Sequence, residues 1–243
     1  MFLLNALKII FLLGFLIFIH EGGHFVVAKL CKVKVNQFAI GFGPKIVEFK
    51  GKETLYALRL IPLGGFVSLE GENGDSTEER AFNNTSIPKR IAIVAAGAIV
   101  NIVFGLIVYF ILVLIVYNSA SIAFRATGEF ILSIGESLKM IFTGNVGVDD
   151  LTGPVGISEV VSRTTNIINY LSILAIISVS LGVTNLLPIP ALDGGKILIL
   201  IIEAIRRKPL KQETELQIQL IGFSILIALS LVVTYNDIIR IAK

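Results

Sequence analysis

The sequence predicts an α-helical polytopic membrane protein with four transmembrane helices and a small membrane-associated β element between spans one and two. Hydrophobic residues make up 54% of the chain and charged residues 16%. The mean hydropathy is +0.84, so the chain is far more apolar than a soluble domain. Four apolar stretches are long enough to cross a bilayer as helices, which takes about 20 residues. A more polar segment with short β-prone runs lies between the first two.

The four predicted spans cover residues 2–28, 91–117, 171–202 and 216–235. The second contains no charged residue, whereas the first carries Lys8 near its outer end and a cluster of polar residues near its inner end. That cluster occupies the place where a small-residue cleavage site would lie. The first span is therefore not predicted to be a cleaved signal peptide.

Basic residues flank the spans on one side, which predicts the orientation of the chain. They follow the first span, precede the second and follow the third: Lys29, Lys32, Lys34, Lys89, Arg90, Arg206, Arg207, Lys208 and Lys211. The positive-inside bias predicts that these clusters are cytoplasmic, and that both termini and residues 118–169 are extracytoplasmic. The net charge of +3 follows from this bias, so no nucleic-acid partner is predicted.

The polar cluster in the first span is His20-Glu21-Gly22-Gly23-His24, which contains both histidines of the chain. Helical residues four apart lie on one face with Cβ atoms about 5–6 Å apart, so both imidazoles can bind one Zn²⁺. Glu21 can then act as a general base toward water at the metal. The same pattern also occurs by chance on soluble helices that bind nothing. Ionisable groups in hydrocarbon cost at least about 2.5 kcal/mol when charged, so the membrane setting favours a metal site.

A catalytic zinc site needs a third protein ligand and an open position for water. Asp193 is the acid of the third apolar stretch, and helical rise places it at a depth similar to that of His20. Two alternatives stay open. Cys31 could be a ligand, although it lies about 10 Å farther along the helix than His24, and Asp193 could pair with Lys196 instead of binding a metal.

Two motifs together carry a resemblance to a known family. His-Glu-Gly-Gly-His at 20–24 occurs with Asn-Leu-Leu-Pro-Ile-Pro-Ala-Leu-Asp-Gly-Gly at 185–195, and shorter matching stretches lie at 40–44, 61–67, 81–84, 95–97 with Asn101, and 151–155. The chain resembles the site-2 protease family of intramembrane zinc metalloproteases, in its bacterial RseP branch.

The resemblance implies a function, a metal and a location. It implies zinc bound by His20, His24 and Asp193, with Glu21 as the catalytic base. It also implies hydrolysis of a peptide bond in or near the transmembrane segment of single-span membrane proteins, such as anti-sigma factors or remnant signal peptides. The implied location is the bacterial inner membrane. The helical distances of His20 and Asp193 from the basic flanks predict an active site in the cytoplasmic half of the bilayer.

Five further residues are candidates for substrate binding. Asn185, Pro188 and Pro190 match family positions that contact substrate or shape the site; their alternative role is packing and helix breaking in an irregular third span. Gly64 and Gly65 belong to a segment with β-prone runs at 46–49 and 54–58. An edge strand there would hold an unwound substrate by β-augmentation, whereas an ordinary capping loop with a tight glycine turn is the alternative.

The predicted organisation has three regions. Residues 1–117 form a first catalytic half, residues 118–169 an extracytoplasmic linker with an amphipathic helix at 129–142, and residues 170–243 a second catalytic half. An acidic stretch at 70–80 is predicted to be a solvated loop. The RseP branch usually carries one or two PDZ domains between spans two and three, and residues 118–128 leave no room for one. The domain is then either naturally absent or removed by engineering.

Two other functions stay open from the sequence. A membrane zinc carrier would bind zinc in transit with the same ligands, and Glu21 would serve proton coupling. A non-proteolytic adaptor would bind transmembrane helices, although the intact Glu21 argues against it. The sequence specifies neither the substrate and its cleavage site nor the oligomeric state.

Overall fold

The computed structural model describes residues 2–72, 74, 76–145, 147 and 151–242. Its elements in chain order are α1 (Phe2–Leu30), β1 (Val35–Lys50), β2 (Leu55–Leu69), α2 (Ile87–Tyr117), α3 (Ala120–Phe142), α4 (Pro154–Ser162), α5 (Ile167–Asn185), α6 (Asp193–Arg206) and α7 (Gln212–Ala242). The mainly helical fold, with its small sheet between the first two long helices, confirms the predicted fold class.

Four of the described helices are long and apolar enough to cross a membrane: Leu3–Leu30, Ile87–Tyr117, Ile167–Asn185 and Gln212–Ala242. Each corresponds to a predicted span. The helices α1, α2 and α7 continue a few residues past the predicted bounds, because backbone hydrogen bonding does not stop where the apolar sequence stops. The chain is a multi-pass membrane protein.

The third span is shorter than predicted. The predicted stretch 171–202 is divided, because α5 ends at Asn185, residues 186–192 are irregular, and α6 begins at Asp193. Pro188 and Pro190 lack the N–H that would continue the helix, which explains the break. The irregularity predicted from these prolines is confirmed, whereas a single helical span through residue 202 is not formed.

Strands β1 and β2 pair in an antiparallel two-stranded sheet. The register places Val35 opposite Leu69, and residues 37–40 have partners in β2 at both 65–68 and 55–58. Residues 37–40 therefore lie between the two ends of β2. Because the C-terminal end of β2 pairs with β1 alone among the described strands, it forms an edge of the sheet.

Both strands are much longer than the runs predicted at 46–49 and 54–58. Gly41 and Gly43 have φ angles of 88° and 81°, which glycine adopts without steric cost. They bend β1 without ending it, so these glycines do not mark the ends of a strand. The sheet exposes several large apolar side chains, as expected for an element that contacts a membrane: Phe42, Ile46, Val47, Phe49, Leu58, Leu60 and Ile61.

The described residues fall into two compact units. The first unit comprises residues 10–102 and 178–223, and the second comprises residues 1–9, 103–177 and 224–243. The first unit holds the sheet, α6 and every residue predicted to bind metal or substrate or to act in catalysis. Its buried core is formed by Ala28, Val33, Val35, Leu69, Phe82, Ile93, Val94 and Leu200.

The acidic loop after β2 is more ordered than a solvated loop requires. Glu70 accepts hydrogen bonds from Asn36 Nδ2 at 2.9 Å and from Ser76 Oγ at 2.7 Å. These two donors hold the pKa of the Glu70 carboxyl below its usual value, since they stabilise its charged form. The loop is thereby fixed to the start of β1.

In the second unit, polar groups near the chain ends are satisfied within the unit. Lys8, the lysine of the first span, donates from Nζ to the carbonyl of Thr164 at 3.0 Å. The buried Asp237 accepts from the backbone amides of Gly153 and Gly156 at 3.0 and 2.8 Å, which caps the start of α4, a helix that the sequence analysis did not predict.

Helix α3 also belongs to the second unit and extends well beyond the amphipathic helix predicted at 129–142. It begins at Ala120, where Ser119 serves as its N-cap and accepts from the amide of Ile122 at 3.5 Å. The residues ahead of 129, which were predicted to be linker, are therefore helical too.

Candidate metal centre

His20 and His24 lie one turn apart on one face of α1. Their ring centroids are 4.8 Å apart with the planes at 83°, and their Nε2 atoms are 3.2 Å apart. His24 Nδ1 donates to the carbonyl oxygen of Ile93 at 2.8 Å. Because a carbonyl oxygen only accepts, this bond places the ring proton on Nδ1 and leaves a lone pair on Nε2, facing His20.

Asp193, the first residue of α6, completes a cluster with the two histidines. Its Oδ2 atom is 3.2 Å from His20 Nε2 and 3.5 Å from His24 Nε2. One potential ligand atom from each of the three residues lies within 4.8 Å of the other two. The structure thus brings Asp193 to two histidines that lie about 170 residues earlier in the sequence.

The alternatives that the sequence left open are not adopted. Lys196 Nζ forms an ion pair with Glu72 Oε1 at 2.6 Å rather than with Asp193. Cys31 packs beside the apolar core of the first unit and is not part of the cluster found among the described residues.

The chemistry of the three groups fits a zinc ion. Asp193 Oδ2 is buried and has no hydrogen-bond partner among the described residues, although it faces both Nε2 atoms. Acceptor atoms directed at one point repel one another unless a cation lies between them. Two imidazole nitrogens and one carboxylate oxygen form a ligand set typical of catalytic zinc, which keeps a fourth position for water.

The break in the third span positions Asp193. Ala191 has a φ of 73°, a left-handed conformation that is costly for a residue with a Cβ, and α6 begins two residues later. A Cβ on Gly194 would overlap the carbonyl oxygen of Leu187. The glycine after Asp193 therefore allows α6 to begin packed directly against the irregular segment 186–192.

Two glycines bring α1 and α2 together beside the histidines. A Cβ on Gly23 would lie 2.7 Å from the carbonyl oxygen of Ala96, and a Cβ on Gly97 would overlap His24 Nε2. Real Cβ atoms essentially never approach other atoms this closely. Glycine at 97 therefore keeps open the space in front of the nitrogen that faces the cluster.

Glu21, the predicted base, lies where β2 passes α1. A Cβ on Gly65 would be 3.1 Å from Glu21 Cγ and 3.0 Å from the carbonyl oxygen of Ala39. Gly64 has a φ of 136°, and a Cβ there would overlap the ring of Phe42. Gly65 thus lets β2 pass close to α1, and Gly64 lets it pass close to the Phe42 ring of β1. Both glycines lie within β2 rather than in a tight turn.

A cavity of about 430 Å³ opens beside Asp193. It is lined by residues 66–68 of β2, by residues 190–193, and by both members of the Lys196–Glu72 ion pair. A second cavity of about 490 Å³ has Glu72 and Gln219 in its wall as well. The edge of the sheet and the candidate ligand Asp193 therefore line one space.

The remaining predicted residues differ in position. Pro190 lines the cavity beside Asp193 and packs tightly against Gly222 of α7. Asn185 is the half-buried last residue of α5. Pro188 is exposed and does not line that cavity. Substrate contact by these residues stays a prediction.

Sequence reasoning gave no role to Asn101 and Glu72, although each of them has a polar partner in the structure. Asn101 is completely buried, and its Nδ2 is 3.5 Å from His20 Nδ1. An amide in a span without charges was the available signal, because a polar group in hydrocarbon needs a partner. Glu72 lies in the acidic loop, and nothing in the sequence indicated that it pairs with Lys196.

The profile described as peptidase family M50 matches residues 8–229. The chain belongs to peptidase family M50. Membership in M50, whose members are zinc-dependent site-2 proteases, makes the chain a zinc metalloprotease, and the four long apolar helices place this protease in a membrane. The resemblance drawn from the two motifs is thereby confirmed.

Several relatives align over nearly their whole length. A protein of Clostridium acetobutylicum, provisionally named zinc metalloprotease CA_C1796, is 30% identical over 330 residues, covering 97% of each chain. The zinc metalloprotease RasP of Bacillus licheniformis is 25% identical over 415 residues, covering 98% of this chain and 99% of the relative. The regulator of sigma-W protease RasP of Bacillus subtilis is 25% identical over 420 residues, covering 99% of this chain and 100% of the relative.

The aligned lengths exceed the 243 residues of this chain. These M50 relatives therefore contain inserted residues without counterparts here. Such insertions are consistent with the predicted absence of a PDZ domain from this chain.

Gly97 provides a test of the space in front of His24. Replacing Gly97 by Ala should lower zinc affinity at least tenfold, because the added methyl group would displace the ring nitrogen that faces the cluster. Zinc affinity is measured by chelator competition on the protein purified in detergent.

The matched control for Gly97→Ala is Gly22→Ala, since a Cβ on Gly22 meets no atom within 4 Å. This control adds the same methyl group to a helix, between the two histidines, and should leave zinc affinity unchanged. Equal affinities of the two variants would show that Gly97 does not keep the ligand space open.

Proposed function

We propose that this M50 protein is an intramembrane protease that hydrolyses a peptide bond in or near the transmembrane segment of single-span membrane proteins. The observation that supports this proposal is the position of the two histidines of the cluster along α1. His20 and His24 lie within an apolar helix long enough to span the membrane, ten and six residues before its end at Leu30. A cluster about 9–15 Å of helix away from that end lies below the membrane surface, at the depth of a substrate's own span.

The proposed zinc ligands are His20, His24 and Asp193. Support comes from the convergence of their ligand atoms and from the buried, unpartnered Oδ2 of Asp193. When bound there, zinc would polarise the scissile carbonyl and acidify an attacking water. The Nδ1–H bond from His24 to Ile93 keeps that ring in the tautomer a ligand requires.

Glu21 is proposed as the general base. It precedes the second histidine by less than one turn, and its stem lies against β2 at Gly65. The Glu21 carboxylate would accept the proton of the attacking water and later deliver it to the leaving amine. This role places the proton transfer between the cluster and the sheet edge, where a substrate backbone would lie.

The edge of β2 is proposed to bind the substrate in an extended form. A transmembrane helix satisfies its backbone groups internally, so its peptide bonds must be unwound before hydrolysis. Residues 66–68 form an edge of the sheet and line the cavity that contains Asp193. An added substrate strand would place its carbonyl groups beside the proposed ligands, with Gly64, Gly65, Pro190, Asn185 and Pro188 shaping the surroundings.

The proposed orientation places both termini outside the cytoplasm and the active site in the cytoplasmic half of the bacterial inner membrane. Support comes from the basic flanks of the spans. The second cavity is lined in part by Arg90 and Lys211, which belong to these flanks. Water would enter, and the released fragment would leave, on that side.

The proposed substrates are single-span proteins such as anti-sigma factors or remnant signal peptides. The B. subtilis relative is named a regulator of sigma-W protease, which supports a role in regulated intramembrane proteolysis for the present chain. The competing function is that of a membrane zinc carrier, which would bind zinc with the same ligands but would leave peptides intact.

Replacing Glu21 by Gln should abolish cleavage without loss of zinc. The amide keeps the shape of the side chain but cannot accept a proton, so turnover should fall by about 10²–10⁴-fold. Cleavage of a tagged single-span protein is measured in proteoliposomes by fragment mass spectrometry, and zinc content by elemental analysis. Glu129→Gln, a change at an exposed residue of α3, is the matched control. Wild-type cleavage by Glu21→Gln would contradict the assigned role, and zinc transport without cleavage would indicate a carrier.

Replacing Asp193 by Asn should weaken zinc binding. A neutral amide is a poorer ligand than a carboxylate, so zinc affinity should fall by more than the roughly 10–100-fold typical of outer-shell changes. Chelator competition measures the affinity, and thermal unfolding of the zinc-free proteins shows whether the variant is folded. Unchanged zinc affinity in a folded variant would remove Asp193 from the ligand set.

Proline substitutions test the edge of β2. In an antiparallel strand, alternate residues direct their N–H away from the paired neighbour, so either Phe66 or Val67 offers its N–H to an added strand. Proline at that position should keep zinc and lose most cleavage, because it removes the donor. Phe66→Ala and Val67→Ala, which keep the N–H, are the matched controls. Wild-type cleavage by both proline variants would contradict strand addition at this edge.

A further inference from the structure

Two of the three proposed ligands are histidines, and each presents Nε2 to the cluster. A histidine that binds zinc through Nε2 carries its remaining proton on Nδ1 and needs a hydrogen-bond acceptor there. For His24 the acceptor is the carbonyl oxygen of Ile93 at 2.8 Å. The corresponding partner of His20 decides whether that ring is held in the ligand tautomer.

The side-chain amide of Asn101 faces His20 Nδ1. The distance from Asn101 Nδ2 to His20 Nδ1 is 3.5 Å, and Asn101 is completely buried. Asn101 Oδ1 is also buried and has no hydrogen-bond partner among the described residues. Two donors, Nδ2–H and Nδ1–H, cannot bond to each other, so this orientation suits a ring with no proton on Nδ1.

Oxygen and nitrogen of an amide have nearly the same shape and are assigned from their hydrogen bonds. A half-turn about the Cβ–Cγ bond exchanges them and places Oδ1 opposite His20 Nδ1. The oxygen then accepts the Nδ1 proton, and the lone pair of His20 Nε2 is directed at the cluster. The ligand form of His20 and the oxygen-facing form of Asn101 therefore require each other.

The amide is held in place by the packing of α2 against α5 within the first unit. The hydroxyl of Ser178, which is itself completely buried, donates to the carbonyl oxygen of Asn101 at 2.8 Å. A Cβ on Gly182 would lie 2.7 Å from Ile102 Cγ1, so the two helices approach closely here. This contact fixes the backbone of Asn101 and leaves its side chain directed at His20.

We propose that Asn101 is a positioning residue that accepts the Nδ1 proton of His20 and thereby holds this imidazole in the tautomer and orientation that bind zinc. Ile93 does the same for His24 through its backbone, where the side chain is immaterial. At His20 the acceptor is a side chain, so this half of the site depends on the residue type at position 101. The proposal rests on His20 being a ligand, as proposed above.

Zinc affinity of Asn101 variants provides the test, without any substrate. Asn101→Leu keeps the branched shape but has no acceptor, and its zinc affinity should fall by about 10–100-fold. Asn101→Asp keeps an acceptor, and its affinity should stay within about threefold of wild type or rise, as in carboxylate–histidine–zinc arrangements. Zinc dissociation constants are measured by chelator competition in detergent, alongside thermal unfolding of the zinc-free proteins.

A merely structural role for Asn101 predicts the opposite order. Leucine would then be tolerated in the apolar interior, whereas a buried carboxylate would be harmful. Wild-type zinc affinity of a folded Asn101→Leu variant would overturn the proposal, and so would a tenfold loss in folded Asn101→Asp. If Asn101→Leu does not fold, the Asp variant alone decides between the two roles.

Two controls separate this inference from the proposed function. Ser178→Ala removes the hydroxyl that bonds to the Asn101 backbone but leaves the amide, and its zinc affinity should change less than threefold. A tenfold loss in this control would attribute the effect to helix packing and overturn the proposal. His20→Ala should lose zinc binding; retained binding would overturn the ligand assignment itself, and the Asn101 inference with it.

Discussion

The candidate site depends on the convergence of two imidazoles within the apolar helix α1 and one carboxylate at the start of α6. Polar groups within apolar helices need partners, and the local backbone is arranged to supply them. The close approach of α1 and α2 at Gly23 and Gly97 brings the Ile93 carbonyl to His24 and leaves room in front of its Nε2. Asn101, which faces His20, also lies on α2, so α2 contacts both histidines without contributing a proposed ligand.

The carboxylate reaches this point because the third span is broken. A continuous helix through residues 171–202 would satisfy its backbone internally and would present Asp193 on whichever face its register dictated. The prolines and the left-handed Ala191 end α5 and start α6 at Asp193. The carboxylate therefore projects from the beginning of a helix, where the free N–H groups also favour a negative charge.

Much of this arrangement could be predicted from the sequence, for identifiable reasons. The spans follow from hydropathy, the pairing of His20 with His24 follows from helical period, and the irregular segment follows from proline chemistry. The meeting of Asp193 with the histidines was inferred from depth and from family resemblance, since depth does not specify the direction of a side chain. The Lys196–Glu72 pair was not predicted, because a loop residue and a helix residue with no common pattern meet there.

The sheet was the least predictable element, for a related reason. Glycines usually mark turns, yet Gly41 and Gly43 bend a continuing strand, and Gly65 gives β2 access to α1. Their function is visible only when the neighbouring atoms are known. The glycines in the sequence therefore indicate where the backbone is unusual, but they do not indicate which element contains that part of the backbone.

A β element beside the proposed metal ligands would answer a problem particular to the proposed hydrolysis within a membrane. In a helical substrate the peptide carbonyls are bonded to amides of the next turn, and the bilayer supplies no water to replace those bonds. Unwinding is costly unless other donors and acceptors take over. The edge of β2 offers unpaired backbone groups, and residues 66–68 share one cavity with Asp193. A segment paired with that edge would exchange helical bonds for strand bonds at the place where its carbonyl meets the proposed metal, so binding itself would offset much of the cost of exposing the scissile bond.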